Sequence, residues 1–147
     1  LAFALGFAAG VPSALLVFTN GLTLGAFMAL YASRGLLVSL LGWLLPHGIP
    51  EIGAIVLCGG AGIHIGRAVL APGARTVRDA LRHSGREAAV VVAGSVVLFA
   101  IAGLIEGVFR QMVTSDAIRF AVAAFNAAWL TAFIAMPRRE DATWRLR

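Results

Sequence analysis

The sequence predicts an all-α fold, a polytopic transmembrane helical bundle of about five to six membrane segments, one of them short enough to be re-entrant. Three observations carry this expectation. Hydrophobic residues make up 60% of the 147-residue chain and charged residues only 13%. Mean hydropathy is +0.90. The apolar residues also fall in long runs near the ~20-residue length that crosses a bilayer, which a soluble domain of this size could not bury.

Taken in order, the apolar runs fall at residues 1–10, 13–31, 35–46, 49–70, 87–109 and 118–136. The first opens inside an apolar run at Leu1, without an initiator Met or a charged leader region, and reads as a truncated span. The second carries Asn20 and Gly21 in its middle. The third, ending at Pro46, covers only about 18 Å as a helix, so it starts earlier, thins the bilayer, or enters and returns. The fourth begins at HGIPE, where Pro50 suits a first helical turn and Glu51 would face the positive end of the helix dipole. The fifth carries Glu106 near its end and the sixth carries Asn126. One domain at 1–136 followed by a basic tail at 137–147 accounts for the whole sequence.

All 12 basic residues are Arg, and their placement sets the expected orientation. Six crossings put Arg34, Arg67, Arg75, Arg78, Arg82, Arg86, Arg138, Arg139, Arg145 and Arg147 on one side and leave Arg110 and Arg119 opposite. Positively charged loops remain on the cytoplasmic side. Both termini are therefore expected in the cytoplasm of a multi-pass protein of the bacterial inner membrane. A re-entrant third segment would reverse only the N-terminal part. The isoelectric point near 11.3 is not read as nucleic-acid binding, because these arginines flank apolar spans and have no aromatic platform among them. Within 71–86, Ala74, Val77 and Leu81 share a helical face apart from Arg75, Arg78 and Arg82. This pattern suits either an amphipathic interfacial helix or an ordinary solvated loop.

Ionisable groups inside a bilayer mark function or a packed polar network. His47, Glu51 and Glu106 are expected to form a polar centre near one membrane face, with Arg110, a turn beyond Glu106, pairing with a carboxylate. No nucleophile is paired with a base, and no HExxH-type motif is present, so no catalytic residue, metal site or cofactor is assigned. A structural or docking network, an ion or proton path, and a metal or catalytic site all remain open for this cluster. His64, between Gly62 and Gly66, is expected deep in its span, bonded to a neighbouring helix, and Asn20 and Asn126 are expected to make interhelical links. Gly6/Gly10, Gly21/Gly25, Gly62/Gly66 and Gly103/Gly107 form GxxxG pairs, which pack helices within the bundle or between copies in a homo-oligomer. The lone Cys58 permits no intrachain disulfide and reads as packing, while Trp43 and Trp129 read as interface anchors or packing residues.

FTNGLTLGAF, LLPHGIPEIGAIVLCGGAGIHIGRAVL and IAGLIEGVF together resemble the stage II sporulation protein M family of bacterial and archaeal membrane proteins. The resemblance rests chiefly on His47, Gly48, Pro50 and Glu51 with the Gly-rich helix that follows, and is supported by Asn20, Gly21, Gly25, Ile105 and Glu106. It implies a membrane scaffold that works with cell-wall-degrading partners, an amidase and a lytic transglycosylase, which carry the hydrolytic chemistry. The sequence thus reads as a non-enzymatic assembly or anchoring subunit embedded in the lipid bilayer. A permease-like subunit moving an ion, proton or lipid-linked solute is the alternative, and a membrane-embedded hydrolase is third.

Overall fold

A computed structural model describes residues 9–136. The expected span at 1–10 lies almost wholly outside the described residues, as do Gly6 and the basic tail at 137–147. Among the described residues are four helices long and apolar enough to cross a membrane: α1 (Val11–Ser33), α2 (Leu37–Leu70), α3 (Val77–Met112) and α4 (Asp116–Ala135). The all-α membrane fold is as expected, but the count is lower than five to six. One segment of the difference is the run at 1–10, outside the described residues, and the other is lost at a single place.

The segments expected at 35–46 and 49–70 are a single helix, with Pro46 and Pro50 in its interior. Proline ends helices in water because it removes a backbone donor, but a membrane helix tolerates it where a neighbour satisfies the freed carbonyl. Here that neighbour is α4. The Asn126 side chain donates to the Pro46 carbonyl over 2.8 Å, the acceptor that an N–H at position 50 would otherwise have bonded. Pro50 is therefore not a first-turn residue, and Glu51 sits mid-helix, away from any helix terminus.

This fusion changes which arginines share an end of the bundle. The α1–α2 turn needs only three residues, with Gly35 in the left-handed region at φ 69° and Leu36 N–H bonded to the Tyr31 carbonyl. A Cβ on Gly42 would lie 3.5 Å from Asp116, and Arg110 lies over the Trp43 ring. Arg34 therefore shares its end with Arg110 and Arg119, whereas the six-segment reading placed it with Arg67. Arg67, Arg75, Arg78, Arg82 and Arg86 gather at the other end, around the α2–α3 turn.

The most extensive interface joins α2 and α3. Its seam repeats every seven residues on both helices: Ala54, Ala61 and Ala68 on α2, and Ala88, Ser95 and Ala102 on α3, all buried. Small side chains at this period keep two backbones close along their length, and in lipid such packing drives association. α2 and α3 have 34 and 36 residues, so they rise roughly 50 Å each, beyond the ~30 Å hydrocarbon thickness. The charged hairpin end can accordingly reach past the apolar layer. α3 begins at Val77 under a Thr76 cap, where Thr76 Oγ1 accepts from Asp79 N–H and donates to the Asp79 carboxylate. No separate amphipathic helix forms in 71–86, because Val77 and Leu81 already belong to this first stretch of α3.

α1 and α4 flank the hairpin. α1 begins against α2, where Ala9 and Gly10 press on Gly66 so closely that a Cβ at 66 would meet their backbone. Further along, Val17 occupies the place of a Cβ on Gly59, and Leu130 of α4 does the same at Gly53.

Candidate functional site

At the Arg110 end, α2 and α3 bring aromatic and charged groups together in a chain of contacts. His47 is buried, 4% exposed, and meets the Trp43 ring edge to face at 5.5 Å between centroids. The Arg110 guanidinium lies 4.7 Å from the centroid of Trp43, a distance that gives a cation–π attraction. Arg110 also pairs with Glu106 at 3.2 Å. Glu106, Glu51 and Arg110 all act electrostatically on His47. The His47 Nδ1 atom is buried without a hydrogen-bond partner.

The α3 backbone aims this cluster. Ile105–Phe109 form a π-helical turn inside the otherwise α-helical element, with the Arg110 N–H reaching back to the Ile105 carbonyl. Such a turn inserts one residue into the helical register, and π-turns recur at functional sites. Arg110 lies beyond the insertion, on the side that reaches Trp43. Arg119 closes the same end: its Nε donates to the Val113 carbonyl at 2.9 Å and it stands 3.6 Å from Asp116.

His47, Glu106 and Arg110 are therefore brought together, with Trp43 as the bridge. Glu51 is not joined to them by a hydrogen bond or ion pair. It lines a groove of about 340 Å³ between α1 and α2, together with Asn20, Thr23, Gly21 and Gly48. Among the described residues, nothing pairs with its carboxylate. Asn20 differs from its expected interhelical role: its amide donates to the Leu16 carbonyl of its own helix at 2.8 Å. Thr19 and Thr23 likewise bond back to Leu16 and Thr19. Asn126 is the amide that crosses between helices.

His64 is bonded to a neighbouring helix, through Glu87 of α3 at 3.0 Å, but its side chain is 47% exposed. It is not deep in the bundle, because α2 continues past the start of α1 and carries position 64 to the arginine-rich end. His83 approaches the other Glu87 oxygen at 3.4 Å. Trp129 stacks on Phe133.

The GxxxG glycines divide. Gly62 and Gly66 are buried, and Gly66 makes the backbone contact with α1. Gly21, Gly25, Gly103 and Gly107 have no atom within 4 Å of an added Cβ, so none of them packs closely on another helix among the described residues. The glycines that do, Gly42 and Gly53 toward α4 and Gly59 and Gly66 toward α1, are spaced eleven and seven residues apart. Those spacings return to one face of a helix as surely as a spacing of four, and they were the overlooked sequence signal.

The family model described as stage II sporulation protein M aligns with residues 1–110. That range includes Asn20, His47, Glu51, His64, Glu106 and Arg110, and stops before α4. The chain matches neither a curated protein nor a solved structure.

Proposed function

The chain belongs to the stage II sporulation protein M family, and from that premise we propose that it is an assembly subunit of a membrane complex, receiving a transmembrane helix of a partner in the α1–α2 groove. The observation that carries this reading is Glu51, a carboxylate without a hydrogen-bond or ion-pair partner among the described residues, in a groove whose other walls are largely apolar. A polar group on a lipid-facing surface is costly, and a second helix bearing a hydrogen-bond donor removes that cost. Gly21, on the groove wall, and Gly25, one turn further along α1, have open space in front of them. That is the surface a close helix–helix approach requires.

Membership of the family makes cell-wall-remodelling membrane proteins the first partners to seek, and a second copy of the chain the next. In this reading the arginine-rich α2–α3 hairpin end faces the cytoplasm. α4 runs back toward that end, so the same reading puts the C-terminal side of the chain in the cytoplasm too. The His47–Trp43–Arg110–Glu106 cluster then lies at the outer face and stiffens the end of the bundle opposite the hairpin.

Photo-crosslinking in native membranes tests the proposal. A crosslinker at Phe27 or Val56, in the groove, should capture a defined membrane protein, and Glu51→Gln or Gly21→Leu should abolish capture while the chain remains folded. Capture that is indifferent to both substitutions overturns the reading. An unpaired carboxylate in a groove is also what a proton path uses. If purified wild-type protein carries pH-driven flux in liposomes and Glu51→Gln abolishes it with crosslinking intact, the permease reading replaces assembly.

A further inference from the structure

At the opposite end from Trp43, α2 and α3 enclose a second cleft, of about 250 Å³, lined by His64, Arg67, Arg75 and Ser84, with Ala71 and Pro72 at the turn. We propose that this cleft binds a phosphate group, presented either by an anionic lipid headgroup or by a free phosphate.

Charge and geometry together support the assignment. Between positions 67 and 87 the sequence holds Arg67, Arg75, Arg78, Arg82 and Arg86 against Asp79 and Glu87. The two carboxylates are already engaged: Asp79 with the Thr76 hydroxyl, and Glu87 with His64 and His83. Arg67 and Arg75 make no ion pair among the described residues, yet both enter one cleft. Guanidinium groups that line one cleft without a carboxylate repel one another, and an oxyanion between them converts that repulsion into charge-assisted hydrogen bonds. The Ser84 hydroxyl, on the cleft wall, adds a neutral donor. Glu87 does not line the cleft. Its bonds to His64 and His83 turn its charge toward the imidazoles.

Depth favours a lipid. At this end of the bundle Gly10 packs on Ile63 and Gly66 of α2. Arg67 lies one residue beyond Gly66, and on α3 the uninterrupted apolar run begins at Ala88, just after Glu87. The cleft is thus at the height where lipid phosphates sit. Basic pockets between membrane helices at that height recognise anionic headgroups.

The test uses the whole protein in nanodiscs of phosphatidylcholine, with or without phosphatidylglycerol. Retained lipid is read by native mass spectrometry and stability by the melting temperature. Wild type should retain phosphatidylglycerol selectively and melt higher in its presence. Arg67→Gln with Arg75→Gln should lower retention by about tenfold or more, the scale for losing two charge-assisted contacts. Arg78→Gln with Arg82→Gln removes the same charge outside the cleft and should leave retention near wild type. Ala71→Leu fills the cleft from an exposed position without altering charge and should abolish selectivity, which keeps the test decisive if the double arginine variant does not fold. Inorganic phosphate titrated into the detergent-solubilised protein separates the two sources: saturable binding lost in Ala71→Leu marks a soluble phosphate, whereas lipid retention without it marks a headgroup. Equal loss in both double variants, or wild-type selectivity in Ala71→Leu, overturns the proposal in favour of a diffuse basic surface.

Discussion

The side-chain amide of Asn126 donates to the backbone carbonyl of Pro46 across the α2–α4 interface, at 2.8 Å. The carbonyl is available because Pro50, four residues on, has no N–H to offer it. A helix defect and a half-buried amide on another helix thereby satisfy each other, and α4 is tied to the first third of α2 by a bond that depends on both.

That dependence can be measured as a coupling. Asn126→Leu should destabilise the bundle by roughly 0.6–1.7 kcal/mol, the range for interhelical hydrogen bonds in membranes. Pro50→Ala restores a donor to the Pro46 carbonyl within α2, so in that background Asn126→Leu should cost less. A double-mutant cycle of unfolding in mixed detergent reads the difference. An identical cost of Asn126→Leu in both backgrounds would show that the amide acts through packing alone.

The glycines make a contrasting pair of predictions. Gly66→Ala drives a methyl group into the backbone of Ala9 and Gly10, and backbone has no rotamer by which to move aside. It should lower the melting temperature markedly and loosen the start of α1. Gly103→Ala meets open space and should be neutral or gain up to about 1 kcal/mol from helix propensity. If Gly103→Ala instead lowers stability in the detergent-solubilised monomer, that glycine packs against a part of the chain beyond the described residues.

The membrane character, the edges of α1 and α4, and the union of Glu106 with Arg110 could be read from the sequence, because hydropathy and i,i+4 spacing are local quantities. The count of helices could not. Pro46 and Pro50 look like a boundary until Asn126, 76 residues beyond Pro50, is known to bond the freed carbonyl. The same non-locality hid the groove that Glu51 lines, which depends on how α1 lies against α2. The heptad of Ala54, Ala61 and Ala68 with Ala88, Ser95 and Ala102 was visible in the sequence, as was the Thr76–Asp79 cap. The first is less conspicuous than the GxxxG pairs beside it, and the arginines in 71–86 obscure the second.

Arg110 should report its contact with Trp43 optically. In a variant with Trp129 and Trp144 replaced by Phe, the emission of Trp43 depends on the guanidinium over its ring. Arg110→Gln should shift that emission and cost about 0.5–2 kcal/mol, combining a lost cation–π contact with a half-exposed ion pair. Glu106→Gln removes only the ion pair. It should leave most of the Trp43 signal in place, and an equal spectral change in both variants would mean that the Glu106 pairing is what holds Arg110 over the ring.

The fused α2 makes a topological prediction that separates four described crossings from the six-segment reading. With Pro46 and Pro50 inside one helix, Gly35 and Thr114 lie at one end of the bundle and Thr76 at the other. In the proposed orientation the arginine-rich end around Thr76 faces the cytoplasm. In a Cys58→Ala background, single cysteines at Gly35 and at Thr114 should both react with an impermeant maleimide in intact cells, and a cysteine at Thr76 should react only after permeabilisation. The informative position is Gly35, because the six-segment arrangement puts it with Thr76. Labelling of Thr114 but not Gly35 in intact cells would mean that the chain crosses once more between them, and the continuous α2 would have to be given up.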